Sequence, residues 1–197
     1  MVVSTRTPGE VTNRAQAVLN GEVTLTVALA GQPNVGKSTV FNLLTGLSQH
    51  VGNWPGKTIE QKTGTYRHNG TTIHLVDLPG TYSLNTTSLD ESVVVELLLN
   101  KNAPDFPDVA VVVSDVENLK RNLLLFTQIK DLKIPAILVI NMADRMTRKG
   151  ITLDVEAMEK RLNTKIALVS TRKNTGIDTL KKLIENYRSI PSSPSID

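Results

Sequence analysis

The 197-residue sequence predicts an α/β fold: a mostly parallel six-stranded sheet with one antiparallel edge strand and helices on both faces. Three observations predict it. Short continuous Val/Ile/Leu runs alternate with amphipathic stretches, the pattern of parallel strands buried on both sides. A single Asn69-Gly70 pair between two strand-like runs marks one hairpin, because both residues tolerate positive φ. A hydrophobic content of 40% over this length supplies one full core.

Residues 1–21 are polar and read as an N-terminal extension, holding at most a short helix from Glu10 to Leu19 closed by Asn20-Gly21. Residues 22–190 carry the regular pattern. VTLTVALA is a buried strand ending at a Gly-rich turn, and VGKSTVFNLLTGL follows with helical spacing at Val40, Phe41, Leu43, Leu44 and Leu47. The turn-rich VGNWPGKTIEQK comes next and holds the only Trp, Trp54. TIEQKTGTYRH and TTIHLVDL then flank the hairpin turn. Ser88-Leu-Asp-Glu91 has capping-box form and opens a helix through Leu99. Strand DVAVVVSD, helix ENLKRNLLLFTQIKDL, strand PAILVIN, helix TLDVEAMEKRL, strand KIALVS and helix TGIDTLKKLIENY complete the domain. Residues 191–197 read as a tail or truncated linker.

Composition removes several function classes. The 22 basic and 19 acidic residues leave +3 without a Lys/Arg-rich run, which argues against a nucleic-acid partner. No Cys is present, so disulfides, thiolate metal sites and cysteine nucleophiles are excluded. No signal peptide is recognisable at the N-terminus, and no apolar run approaches the ~18 residues of a membrane span. The stretch is expected to be soluble. His50, His68 and His74 lack metal-ligand spacing, and Lys120, Arg121, Lys130 and Lys133 read as a solvated helix face.

Gly31-Gln-Pro-Asn-Val-Gly36-Lys37-Ser38 fits G-x-x-x-x-G-K-[ST] between a buried strand and a helix. Glycines let backbone N–H groups curl around phosphate oxygens, and the helix N-terminus adds its positive end. Lys37 supplies charge for the outer phosphates, and Ser38 a hydroxyl for Mg²⁺. Gly31, Asn34, Val35, Gly36, Lys37, Ser38 and Thr39 are the nucleotide-binding candidates here. Asp77-Leu-Pro-Gly80 ends a strand, placing the Asp77 carboxylate to hold Mg²⁺ and the Gly80 N–H to meet a γ-phosphate.

Asn141-Met-Ala-Asp144 follows the strand PAILVI. A carboxylate accepts both the N1–H and N2–H₂ donors of guanine and leaves a costly unpaired acceptor against adenine, so Asp144 would select guanine. Asn141 would tie the base loops together, and Met142 would cover one face of the base. Ser170-Thr171-Arg172 would offer backbone N–H groups to guanine O6, with a plain strand-to-helix turn as the rival reading.

In this order, GQPNVGKS, DLPG, NMAD and STR resemble the motif set of a Ras-like P-loop GTPase across about residues 22–190. That resemblance implies a switch Thr that meets Mg²⁺ and the γ-phosphate only in the GTP state, and Thr58 is the leading position. VGNWPGKTIE, DLPGTYSL and ENLKRNLLLFTQI closely resemble the cytosolic N-terminal G domain of FeoB-type ferrous iron transporters. The resemblance implies GTP hydrolysis that regulates iron uptake, with Asn34, Lys37, Thr58 and Gly80 in the catalytic set and Ser38, Thr58 and Asp77 as Mg²⁺ ligands. It further implies K⁺ held by Asn34 and carbonyls near residues 52–56, stimulating slow hydrolysis. Val35 stands where many members carry Ser, and Thr81 where Ras-type enzymes place a water-orienting Gln. Full-length members continue into a helical domain and a membrane permease at the cytoplasmic face of the inner membrane, so an excised domain is expected, with self-association left open. Two alternatives stand beside this reading. One is a nucleotide sensor with negligible hydrolysis, and the other a ribosome-assembly GTPase of the Era or EngA type.

Overall fold

Seven strands, not six, form the sheet of the computed structural model, which describes residues 24–193. The elements in chain order are β1 (Thr24–Gly31), α1 (Lys37–Thr45), β2 (Gln49–Asn53), β3 (Glu60–His68), β4 (Thr71–Asp77), α2 (Leu89–Leu99) and β5 (Val109–Asp115). There follow α3 (Leu119–Asp131), β6 (Ala136–Asn141), α4 (Asp144–Lys149), α5 (Val155–Leu162), β7 (Lys165–Leu168) and α6 (Ile177–Glu185). Strand order is β2-β3-β4-β1-β5-β6-β7. Only the β2–β3 and β3–β4 pairings are antiparallel.

The extra strand is β2, within the stretch expected to be wholly loop. Its residues QHVGN show no apolar alternation, and backbone pairing to β3 holds them, with His50 opposite Thr63 and Gly52 opposite Gln61. The antiparallel β3 is therefore second from the edge. The hairpin turn forms as expected, with Asn69 at φ 48° and Gly70 at φ 80°. The Ser88–Glu91 capping box also forms, each side chain satisfying the other's backbone N–H. The expected helix at 10–19 lies outside the described residues.

Side-chain alternation along the strands separates two apolar layers. Val27, Leu29, Val111, Ile137 and Val139 point to a layer closed by α1 and α6, where Phe41, Leu44, Leu180 and Ile184 are buried. Ala28, Ala30, Val112, Leu138 and Ile140 point to the opposite layer, closed by Val93 and Leu97 of α2 and by Leu125, Phe126 and Ile129 of α3. Trp54 joins this second layer. No helix among the described residues is long and apolar enough to cross a membrane.

One basic residue departs from its expected surface position. Lys130 is fully buried, its ammonium donating to the Asn163 carbonyl and, at 3.3 Å, to that of Pro191. Asn163 Nδ2 also donates to Ser193 Oγ at 2.6 Å, so 191–193, read as the start of a tail, are bonded to the body of the domain.

Candidate functional site

Strands β1, β4, β5 and β6 end in Gly31, Asp77, Asp115 and Asn141. β1 has β4 on one side and β5 on the other, so the chain's winding reverses there, the place where open α/β sheets bind ligands. The loop from Gly31 to Lys37 crosses this point. Gly36 has φ 89°, and a Cβ there would overlap the Asn141 amide, so only glycine fits. Asn34, exposed at the crest of the loop, is also left-handed at φ 66°. Val35 points the other way: its side chain is buried in the core and its carbonyl accepts from Asn141 Nδ2 at 3.0 Å.

At the phosphate end, Lys37, Ser38, Asp77 and Gly80 line one cavity of about 310 Å³ with Glu60, Lys62 and Asp90. The Lys37 ammonium pairs directly with Asp77 Oδ1. Burial pushes the Asp77 carboxyl above its ordinary value, and the Lys37 charge pulls part of that shift back. The Ser38 hydroxyl and Asp77 carboxylate are hard oxygen donors at the helix terminus, the donor set that Mg²⁺ takes beside phosphate. Thr39 is exposed on the first turn of α1. Gly80 lies against the loop, where a Cβ would come 3.3 Å from Pro33, and the next residue's N–H donates to Gly31 O at 3.0 Å. Thr81 itself is 3% exposed, so its side chain faces away from solvent.

Thr58 is exposed and outside the lining of this cavity, although its neighbours Ile59 and Glu60 contribute to it. The preceding turn is held by Trp54 N–H to Ile59 O and Lys57 N–H to Trp54 O, both at 2.9 Å, and by a Lys57–Glu96 ion pair at 3.4 Å to α2.

The base end is built from two loops knitted together. Asn141 Oδ1 accepts from the Thr171 N–H at 3.2 Å, while its Nδ2 bridges to the phosphate loop. The Ser170 hydroxyl donates to Asp144 Oδ1 at 2.8 Å, and that bond, with Arg148 and Lys173 nearby, holds the carboxyl below its usual range. Asp144 is therefore ionised, with a side chain only 7% exposed. Met142 is left-handed at φ 62°, a costly setting for a non-glycine residue, fixed by Val116 N–H to Asn141 O and Ala143 N–H to Val169 O. Of the N–H groups assigned to guanine O6, that of Ser170 is bonded to Thr175 O and that of Thr171 to Asn141. Arg172, the third residue of that stretch, is exposed.

Sequence reasoning missed two supports. Gln32, 5% exposed, donates from Nε2 to the Arg121 carbonyl of α3 at 3.1 Å and fixes the phosphate loop from behind. Asp115 Oδ1 accepts from the N–H groups of Glu117 and Asn118 at 2.9 and 2.8 Å, shaping the turn beside the base loop. An Asp at a strand end followed by Asn three residues later was the available signal for the second. The first left none.

The comparisons with known proteins identify the family. The family model described as ferrous iron transport protein B matches residues 25–184. The Fe(2+) transporters FeoB of Shigella flexneri and Salmonella typhi are each 44% identical over 170 residues, covering 84% of this chain and 21% of theirs. The chain thus spans about a fifth of the length of these relatives. Among solved structures, the G domain of the T. maritima FeoB iron transporter aligns with a TM-score of 0.76 and 36% identity, covering 84% of this chain and 99% of that one. The cytosolic domain of the same transporter in a GDP form aligns at 0.78 and 37%, covering 89% and 66%. The cytosolic domain of L. pneumophila FeoB aligns at 0.76 and 35%, covering 87% and 65%. The match of the family model to residues 25–184, with relatives 44% identical over 170 residues and a solved G domain aligned over 84% of the chain, places the chain in the ferrous iron transport protein B family as an N-terminal G domain.

Proposed function

We propose that this domain binds GTP and GDP with Mg²⁺, hydrolyses GTP slowly with stimulation by K⁺, and regulates ferrous iron movement through a permease in a longer protein. Membership of the family sets aside the ribosome-assembly alternative. The observation that carries the reading is the Asn141 amide, which joins the phosphate loop through Val35 to the base loop through Thr171. One side chain thereby ties the loop proposed to hold phosphate to the loop beside an ionised, Ser170-oriented Asp144.

In this reading Asp144 accepts the two guanine donors, and Met142 covers the base. Lys37 leaves Asp77 for the β- and γ-phosphates as nucleotide enters, and Asp77 is then free to join Ser38 around Mg²⁺. Bound Mg²⁺ neutralises charge developing on the phosphates. Thr58 reaches the same cavity only after the 54–59 turn opens. Asn34, exposed on the loop crest, carries the K⁺ role with carbonyls of 52–56.

Calorimetric titration with GDP, a GTP analogue and ADP tests the base assignment: ADP binding as tightly as GDP overturns the role of Asp144. Phosphate release in K⁺ against Na⁺ buffer, with Asn34→Ala beside the parent, tests the rest. Equal rates throughout overturn the K⁺ role. The burial of Thr81 favours one second reading, a nucleotide sensor without hydrolysis, because no side chain at that position reaches an attacking water. Tight GTP binding with no phosphate released over hours would select it.

A further inference from the structure

The segment after Gly80 is held at three points. The Thr81 N–H donates to Gly31 O at 3.0 Å. The Tyr82 ring, 46% exposed, lies under the Arg121 guanidinium, whose carbon is 4.7 Å from the ring centroid. The Leu84 N–H donates to Gln128 Oε1 at 2.8 Å. Arg121 and Gln128 are seven residues apart on α3 and so share one face of that helix. Leu125, Phe126 and Ile129 of the same helix are buried in the core, which makes α3 a rigid mount.

The Arg121 backbone carbonyl simultaneously receives the Gln32 amide of the phosphate loop. One helical turn therefore grips both the loop that holds phosphate and the segment that follows the γ-phosphate glycine. With Thr81 buried, the attacking water has to be placed by backbone groups of residues 80–82. Backbone groups direct a water only if the segment carrying them is fixed, and a displacement of about 1 Å is enough to cost up to 10²-fold in rate.

We infer that Arg121 and Gln128 are positioning residues for hydrolysis, clamping the second switch to the helix that also fixes the phosphate loop. The inference rests on the GTPase reading above. Neither residue touches nucleotide. Their effect passes through Tyr82 and Leu84 to the Gly80 backbone, since a cation within about 6 Å of an aromatic face is attracted by the ring quadrupole. Nucleotide affinity comes from the phosphate and base loops, so loss of the clamp lowers kcat and spares binding.

The test compares the parent chain with Arg121→Ala, Gln128→Ala, Tyr82→Ala, Tyr82→Phe and the Arg121→Ala/Tyr82→Ala double variant. Single-turnover phosphate release, GDP affinity and amide exchange at residues 80–84 are measured for each. The expected result is a fall of about tenfold or more in turnover for the Ala variants, with GDP affinity within about twofold and faster exchange at the Leu84 amide. Tyr82→Phe recovers what Tyr82→Ala loses, and the double variant falls no further than either single one, as expected for one shared contact. Turnover and exchange unchanged in Arg121→Ala and Gln128→Ala overturn the inference, as do parallel losses of affinity and turnover, which signal a general structural role. A parent chain that binds GTP and releases no phosphate overturns the hydrolysis reading itself, and the two failures are thereby distinguished.

Discussion

The Asn141 side-chain amide stands 3.0 Å from the Val35 carbonyl oxygen, across 106 positions of sequence. Its other end accepts the Thr171 N–H, and Gly36 lies so close beneath it that no Cβ fits between them. Asn141→Ala therefore frees two loops at once. Loss of two hydrogen bonds of about 1 kcal/mol each predicts a loss of fold stability of about 2 kcal/mol, with weaker GDP binding because the two loops no longer hold each other. Gly36→Ala is predicted to be worse, because it adds overlap with the Asn141 amide to a backbone at φ 89° that L side chains resist. Calorimetric titration of both variants with GDP checks the order. Full affinity in Asn141→Ala would mean the loops are held by other contacts.

Much of this arrangement was legible in the sequence where a local rule decides the outcome. Gly36 opens α1, Asn69-Gly70 turns the hairpin and Ser88–Glu91 caps α2, each through neighbours within a few residues. The missed features depend on partners distant in sequence. β2 has no pattern of its own and exists through the β3 backbone. α4 is six residues long and buries none of them, so no apolar stripe announces it. Lys130 looked like surface because sequence does not reveal that two carbonyls, from Asn163 and Pro191, converge on one buried ammonium. The second base loop shows the same division: the N-x-x-D motif was readable, whereas the Ser170 N–H is taken by Thr175 O and the Thr171 N–H by Asn141 Oδ1.

Lys130 gives a stability prediction. Its stem fills core space, and its ammonium donates to the Asn163 and Pro191 carbonyls. Lys130→Ala is predicted to lower unfolding free energy by about 3 kcal/mol through a cavity and unpaired carbonyls. Burial also lowers its pKa from the ordinary 10.5. Between the lowered value and 10.5 the unfolded chain binds more protons than the folded one, so this group adds stability as pH rises through that interval. Urea unfolding across alkaline pH checks the sign, and Lys130→Met should abolish that rise. A rise of equal size in Lys130→Met would assign it elsewhere.

Trp54 is 7% exposed, packed beside α2, with an indole N–H that has no hydrogen-bond partner. A buried unpaired donor costs about 1–3 kcal/mol, so this packing is stable enough to form and cheap to leave. A cavity of about 270 Å³ bounded by Trp54, Val93, Glu96 and Leu97 adjoins it. Thr58 lies outside the Ser38–Asp77 cavity while Trp54 and Lys57 hold the 54–59 turn. Trp54 fluorescence is therefore predicted to differ between GDP and GTP-analogue states, and Thr58→Ala to erase the difference. A signal that persists in Thr58→Ala would separate the indole's motion from the threonine's.

Asp77, proposed above as a Mg²⁺ ligand, is predicted to make Mg²⁺-supported binding depend on pH. Burial raises its pKa above the ordinary 3.8, and Lys37 offsets part of the rise. Between 3.8 and the raised value the folded chain holds the extra proton, so in the nucleotide-free domain this group's stabilising contribution is lost as pH rises through that interval. Metal binding runs the other way. It needs the carboxylate, so below the raised pKa each bound metal must expel a proton, and the Mg²⁺-dependent part of GDP affinity falls by about tenfold per pH unit. The fall is predicted to begin above the ordinary carboxylate range, because the metal competes with a proton that burial has already favoured. Asp77→Asn should remove both the Mg²⁺ increment and its pH dependence, leaving the metal-independent affinity set by the phosphate loop. Titrations with GDP at several pH values, with Mg²⁺ and with chelator, measure the two parts separately. A Mg²⁺ increment that survives in Asp77→Asn would move the metal's carboxylate ligand elsewhere, with Glu60 and Asp90 the acidic side chains lining the same cavity.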